Sequence, residues 1–186
     1  MIVDKKTEMW VAQAVPATAA TTTSNLGNQI PLGTAGIAGL FRDLGVGRPL
    51  YAVFVAATNL VSVAGQQTTI QLHLITDAAA DMASPAFLAS SRAFPVGNGT
   101  QGTIVPRGTI LWEQALPLEH FNVAYEGFLG ASLTTGAQAL SATATDRQIS
   151  AFITDTPPSW KPHADIRGND PGTPSNSGTI QGNPLP

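Results

Sequence analysis

The chain has 186 residues, enough for one domain with a substantial core, yet only 11% of them are charged, against roughly 25% in ordinary soluble domains. A net charge of -3 and a pI near 5.4 leave no clustered basic face for a phosphate backbone, so nucleic acid is not an expected partner. The lack of cysteine excludes a disulfide framework and cysteine-ligated zinc, and no segment reaches the ~18 apolar residues that a membrane helix needs.

The first residues, MIVDKKTE, carry Asp4, Lys5, Lys6 and Glu8 and lead into no apolar run of signal-peptide type. Residues 1–9 are read as an arm, in which Ile2 and Val3 can add to a sheet edge while Asp4, Lys5 and Lys6 set the register; Met1 is a further candidate contact. Weak strands are expected at 10–15 and 26–32, and a short helical turn near GIAGLFRDL, 36–44. In LYAVFVAA, 50–57, Tyr51, Val53 and Val55 share one face and Leu50, Ala52, Phe54 and Ala56 the other. Both faces are apolar, which predicts a central strand.

The clearest strand is QTTIQLHLIT, 67–76, where Ile70, Leu72 and Leu74 alternate with Thr69, Gln71 and His73. Weaker strands are expected at 86–91, 102–106 and 109–115. HFNVAYEG, 120–127, and QISAFIT, 148–154, alternate as half-buried strands do. Turn chemistry separates them in LGVGRP at 44–49, PVGNGT at 95–100 and PRG at 106–108. Eight or nine short strands without a long helix predict an all-β fold: a single jelly-roll-like antiparallel sandwich over 10–155.

Beyond Asp155 the pattern changes. Residues 156–186 hold seven of the fourteen prolines together with Gly168, Gly172, Gly178 and Gly182, so neither a helix nor an inner sheet ladder is available to them. This segment is read as an extended arm that takes order only from a surface outside itself, the body or a neighbouring subunit. At ~3.1 Å per residue it spans on the order of 90 Å, long enough to cross a neighbour. Trp160 cannot bury itself in such a sequence and is read as a plug for a pocket on the body or a neighbour. Ile166, Ile180 and Leu185 are the further candidate contacts of the arm.

No constellation recommends catalysis, a metal or a cofactor. His73, His120 and His163 lack the spacing that orients a metal, and the first two face away from the apolar sides of their predicted strands; they read as exposed or interface histidines. Asp165, Asn169 and Asp170 lack the alternation and terminal glutamate of a calcium loop, GTAGIAG at 33–39 is not followed by a P-loop lysine, and no G-x-S-x-G elbow is present. Asn98-Gly99-Thr100 reads as a hairpin turn. Trp112 is expected to pack within its strand and Trp10 to cover a sheet edge.

The octet MIVDKKTE, the segment RDLGVGRPLY at 42–51, QLHLITDAAADMASPAFLAS at 71–90 and ILWEQALPL…NVAYE at 110–126, in this order, resemble the capsid cement (decoration) proteins of tailed bacteriophages. The resemblance covers about residues 1–155. It implies a jelly-roll domain on the outer surface of the capsid of a virion assembled in the bacterial cytoplasm. The implied partners are the major capsid protein, whose neighbouring subunits it bridges, and further copies of itself, as a dimer or a trimer. It implies no catalysis and does not extend to 156–186. The competing readings are a carbohydrate-binding jelly roll, as in a lectin or a virion fibre, and a glycan hydrolase with paired carboxylates.

Overall fold

Among the described residues, period-two alternation folds into nine strands, with a 3-10 turn at Ala144–Asp146. The computed structural model describes residues 8–17, 23–32, 50–116, 126–141 and 143–155. The strands are β1 (Glu8–Ala14), β2 (Thr23–Pro31), β3 (Leu50–Ala56), β4 (Thr68–Asp77), β5 (Ala86–Ser90), β6 (Phe94–Val96), β7 (Ile110–Leu116), β8 (Phe128–Thr135) and β9 (Gln148–Thr154). They form two antiparallel sheets in a sandwich. One has the order β1-β9-β3-β7 and the other β2-β8-β4-β5, with β6 also on β4.

β5 and β6 run the same way along β4 and act as one interrupted strand. At the break, Ser91 N–H donates to the Leu72 carbonyl at 2.8 Å and the Ser91 hydroxyl accepts Leu72 N–H at 3.0 Å. The ladder is thereby handed from β5 to β6 with the β4 amide satisfied, as a buried backbone requires.

The core lies between the sheets. Leu50, Ala52, Phe54 and Ala56 of β3, Ile70, Leu72 and Leu74 of β4, Leu129, Ala131 and Leu133 of β8 and Ile149, Ala151 and Ile153 of β9 all belong to it. Each fully buried Leu or Ile contributes roughly 1.5–3 kcal/mol of transfer free energy. Phe54 is the centre of an aromatic trio, edge-on to Trp10 at 5.6 Å and stacked on Trp112 at 5.2 Å. β3 is central, between β9 and β7, as its two apolar faces predict.

Four expectations are corrected. Trp10 does not cover an edge: it is 1% exposed and points into the core from β1. Residues 102–106 form no strand, only an isolated bridge from Val105 to Leu60. β6 lies where a turn was expected, because β4 supplies a ladder for Phe94–Val96 that local sequence does not reveal. β8 was not anticipated at all, although Leu129, Ala131 and Leu133 alternate with Gly130, Ser132 and Thr134. Its small residues resemble loop chemistry, and burial between β2 and β4 overrides that preference. The expected strand at 120–127 lies outside the described residues except for Glu126 and Gly127, which precede β8. The expected turn at 36–44 also lies outside them.

Candidate functional site

Strand direction sorts every connection to one end of the sandwich or the other. Glu8 pairs with Phe152, Tyr51 with Thr154 and Leu50 with Leu116, so the start of β1, the end of β9, the start of β3 and the end of β7 share one end of the first sheet. Pro31 and Asp77 both pair with Phe128, and Thr76 pairs with Ala86, which puts the ends of β2 and β4 beside the starts of β8 and β5. Residues 32–49 and 117–127 join these two sets. The β4–β5 loop lies at the same end, where Glu8, Leu32, Leu50, Leu116, Glu126 and Asp155 are the last described residues of their segments.

At the opposite end, the described parts of the connections β1–β2, β3–β4, β6–β7 and β8–β9 are hydrogen-bonded to one another. Leu60 bridges to Val105 and Ser62 to Leu140. Asn98 Nδ2 donates to the Val63 carbonyl at 3.1 Å, and Ser141 N–H donates to the Val61 carbonyl at 2.8 Å. Arg147 donates from Nε to the Val15 carbonyl and from a terminal nitrogen to the Ser141 carbonyl at 2.8 Å, tying β1 to the β8–β9 connection. The Asn98-Gly99 turn is present as expected: Asn98 Oδ1 accepts the amides of Thr100 and Gln101, and Gly99 has φ 89°. A Cβ on Gly97 would overlap the Gln101 carbonyl, so this turn requires glycine there.

At the first end, the described part is the β4–β5 loop and the approach to β8. Asp77 closes the loop by accepting Ala79 N–H and Ser84 N–H on its two oxygens, each at 2.9 Å. Those amides, Ala79 first, hold its carboxyl below the usual carboxylate range. Met82, at φ 51° and 2% exposed, folds back over the outer face of the second sheet. It occupies the space a side chain on Gly130 would need: a Cβ there would lie 2.8 Å from Met82 Cε. Thr76 Oγ1 donates to the Phe128 carbonyl at 2.9 Å and accepts Glu126 N–H at 2.8 Å. The Asp-Ala-Ala-Ala-Asp run was a legible signal for such a side-chain-closed turn.

His73 stands on the outer face of the second sheet, turned from the core as its alternation predicts, but it is 6% exposed and not a solvent-facing histidine. Its Nδ1 is 2.7 Å from the Ser90 hydroxyl and its Nε2 2.9 Å from that of Thr134, with Phe87 edge-on at 4.8 Å. Burial keeps the imidazole below its ordinary pKa. The cross-strand Ser132 Oγ is buried without a hydrogen-bond partner. A neutral ring between two hydroxyls supplies one donor and one acceptor and locks β4 to β5 and β8. Among the described residues no group of three His, Cys, Asp or Glu side chains is arranged to hold a metal ion.

The sheet edges are not plain ladders. Among the described residues the edge strands β1, β2, β5 and β7 each show a register shift, whereas the short edge strand β6 and the inner pairings β3–β9 and β4–β8 run without one. In β1 the shift lies between Trp10 and Gln13, where Ala12 takes φ 45° and its amide donates to Ser150 Oγ at 3.0 Å. Bulges of this kind twist an edge away from strand addition, and Pro95 in β6 offers no N–H. Val11 and Phe87 are the exposed large apolar side chains among the described residues, at 61% and 44%, each beside a shift.

The candidate contacts Met1, Ile2, Val3, Asp4, Lys5, Lys6, Trp160, Ile166, Ile180 and Leu185 lie outside the described residues, as do His120, His163 and the 33–39 glycine run. Trp112 packs against the core as expected. No protein-family model matches the chain, and no curated protein does.

Proposed function

We propose that the chain is a capsid cement protein of a tailed bacteriophage, which binds the outer surface of the assembled shell and bridges neighbouring subunits of the major capsid protein. The observation that carries this reading is the ordered set of sequence blocks that resemble that family. Two of these blocks overlie described elements: 71–90 comprises most of β4, the Asp77-closed loop and β5, and the first part of 110–126 is β7. The strand order supports the jelly-roll reading. With β5 and β6 counted as one, the sheets hold strands 1-8-3-6 and 2-7-4-5, the nested pairing of a long hairpin folded over itself.

The role is mechanical. A protein that binds only the closed lattice stabilises it by linkage, about 2.7 kcal/mol per site when its free concentration is 100-fold above Kd. Low charge suits a surface that meets protein, because charged residues are depleted in interface cores. Arms at 1–9 and 156–186 add contacts to those of the body, so that modest interfaces act together. Self-association on the shell, as a dimer or a trimer, belongs to the same reading.

The test is co-sedimentation of the purified chain with DNA-filled particles stripped of it, followed by heating or osmotic shock. Bound chain is expected to raise the temperature at which DNA is released, and removal of 156–186 to weaken binding while the body stays folded. Shells that bind no chain, or release DNA identically with and without it, would refute the proposal.

A further inference from the structure

We propose that Asn98 is a site of spontaneous deamidation which the fold holds in check, and that its conversion removes the side-chain latch between its turn and the β3–β4 connection. Asn98-Gly99 is the one Asn-Gly pair in the sequence. Asparagine is among the thermolabile residues, and the amide nitrogen of a following glycine, which has no side chain, reaches it with the least hindrance. The Gly99 nitrogen attacks Asn98 Cγ: an N–C bond forms, the Cγ–Nδ2 bond breaks, and the Gly99 amide proton passes through solvent to the departing ammonia. Water then opens the succinimide at either carbonyl, to aspartate or to isoaspartate, with no oxidant or reductant. This chemistry does not depend on the proposed function.

Gly99 is exposed and Asn98 half-buried, so water reaches the pair, yet every reacting group is engaged. Gly99 N–H donates to the Gly102 carbonyl at 3.2 Å. Asn98 Oδ1 accepts the amides of Thr100 at 2.9 Å and Gln101 at 2.8 Å, and Nδ2 donates to the Val63 carbonyl at 3.1 Å. Two donors on the oxygen and an acceptor on the nitrogen fix which way the amide points. Ring closure strips the Gly99 proton and expels Nδ2, so the Gly102 and Val63 bonds are both lost on the way. It therefore starts from the locally opened turn, and the closed turn guards the pair. The Val63 carbonyl is itself held in place: it also accepts Gln66 N–H at 3.2 Å, and the Ser62 hydroxyl donates to the Gln66 carbonyl at 2.6 Å. After conversion to aspartate a carboxylate oxygen stands where Nδ2 stood, facing the Val63 carbonyl with no proton between them. Isoaspartate also adds a methylene to the backbone. Either product cuts this side-chain link.

The test incubates the full chain in mildly alkaline buffer, native and in concentrated guanidinium chloride, and follows the peptide that carries Asn98 by mass spectrometry for amide-to-acid conversion and for isoaspartate. Conversion in the native chain is expected to be about tenfold or more slower than in the unfolded chain. A native rate within about twofold of the unfolded one, or no conversion in the unfolded chain, overturns the proposal. Ser62→Ala removes the donor to the Gln66 carbonyl without touching Asn98, and the folded variant is expected to convert about threefold or more faster than the native chain. An unchanged rate would remove the Val63 contact as part of the guard. Asn98→Asp supplies the aspartate product directly: amide exchange should rise at 63–66 and 98–102 and stay unchanged in 78–85. Exchange unchanged at both 63–66 and 98–102 would show that conversion releases no latch.

Discussion

The two ends of the sandwich are built from the same strands and differ in how their connections are satisfied. At one end the loops bond to one another across the sheets, through Leu60–Val105, Ser62–Leu140, Asn98 and Arg147. At the other, the described connection is a short loop closed on itself by Asp77 and latched by Met82 over Gly130. The difference teaches that a closed sandwich can concentrate rigidity at one end and keep its chain entry and exit at the other.

Three substitutions break or sharpen that contrast. Phe54→Ala acts on the core between the two ends, because Phe54 joins Trp10 and Trp112 along the inner face of the first sheet; a loss of ~3–5 kcal/mol is expected in denaturant unfolding. A loss below ~1 kcal/mol would show that the trio is not central. Arg147→Met strips the bonded end of the donors to the Val15 and Ser141 carbonyls, and about 2 kcal/mol should be lost. Amide exchange should rise at the β1–β2 and β8–β9 connections and stay unchanged in 78–85; a rise everywhere would mean that the ends are not independent.

The smallest effect belongs to Asp77→Asn, which should speed exchange at Ala79 and Ser84 with little change in global stability. The sign of its pH dependence follows from the lowered carboxyl value. Its contribution is fully present above the unfolded carboxylate value of ~3.9 and is lost as pH falls through the lower folded value. Native 78–85 should therefore loosen only in strong acid, and the Asn variant should show no such step. Identical acid profiles for both proteins would remove Asp77 as the closing group.

Much of the fold was legible. Alternation in 67–76 and 148–154 and the two apolar faces of 50–57 located β4, β9 and the central β3, because a half-buried or fully buried strand writes its environment into its own residues. β8 was missed although it alternates, since Gly130, Ser132 and Thr134 carry turn-like chemistry on its outer face. Histidine 73 was placed on the correct face but not in its setting: Ser90 and Thr134 come from strands 17 and 61 residues away. No local pattern specifies such partners. The candidate arm contacts were named from the same kind of reading, and they stand as part of the proposal.

By itself, the sequence determined that this is an all-β chain, poor in charge and ending in a proline-rich stretch of sequence. Those properties are local, set by residue type and a period of two. Tertiary structure decided which strands are neighbours, which edges bulge and which end is tied shut. Pairing partners lie far apart along the chain, and their choice depends on the burial of both sheets at once, which no single segment encodes.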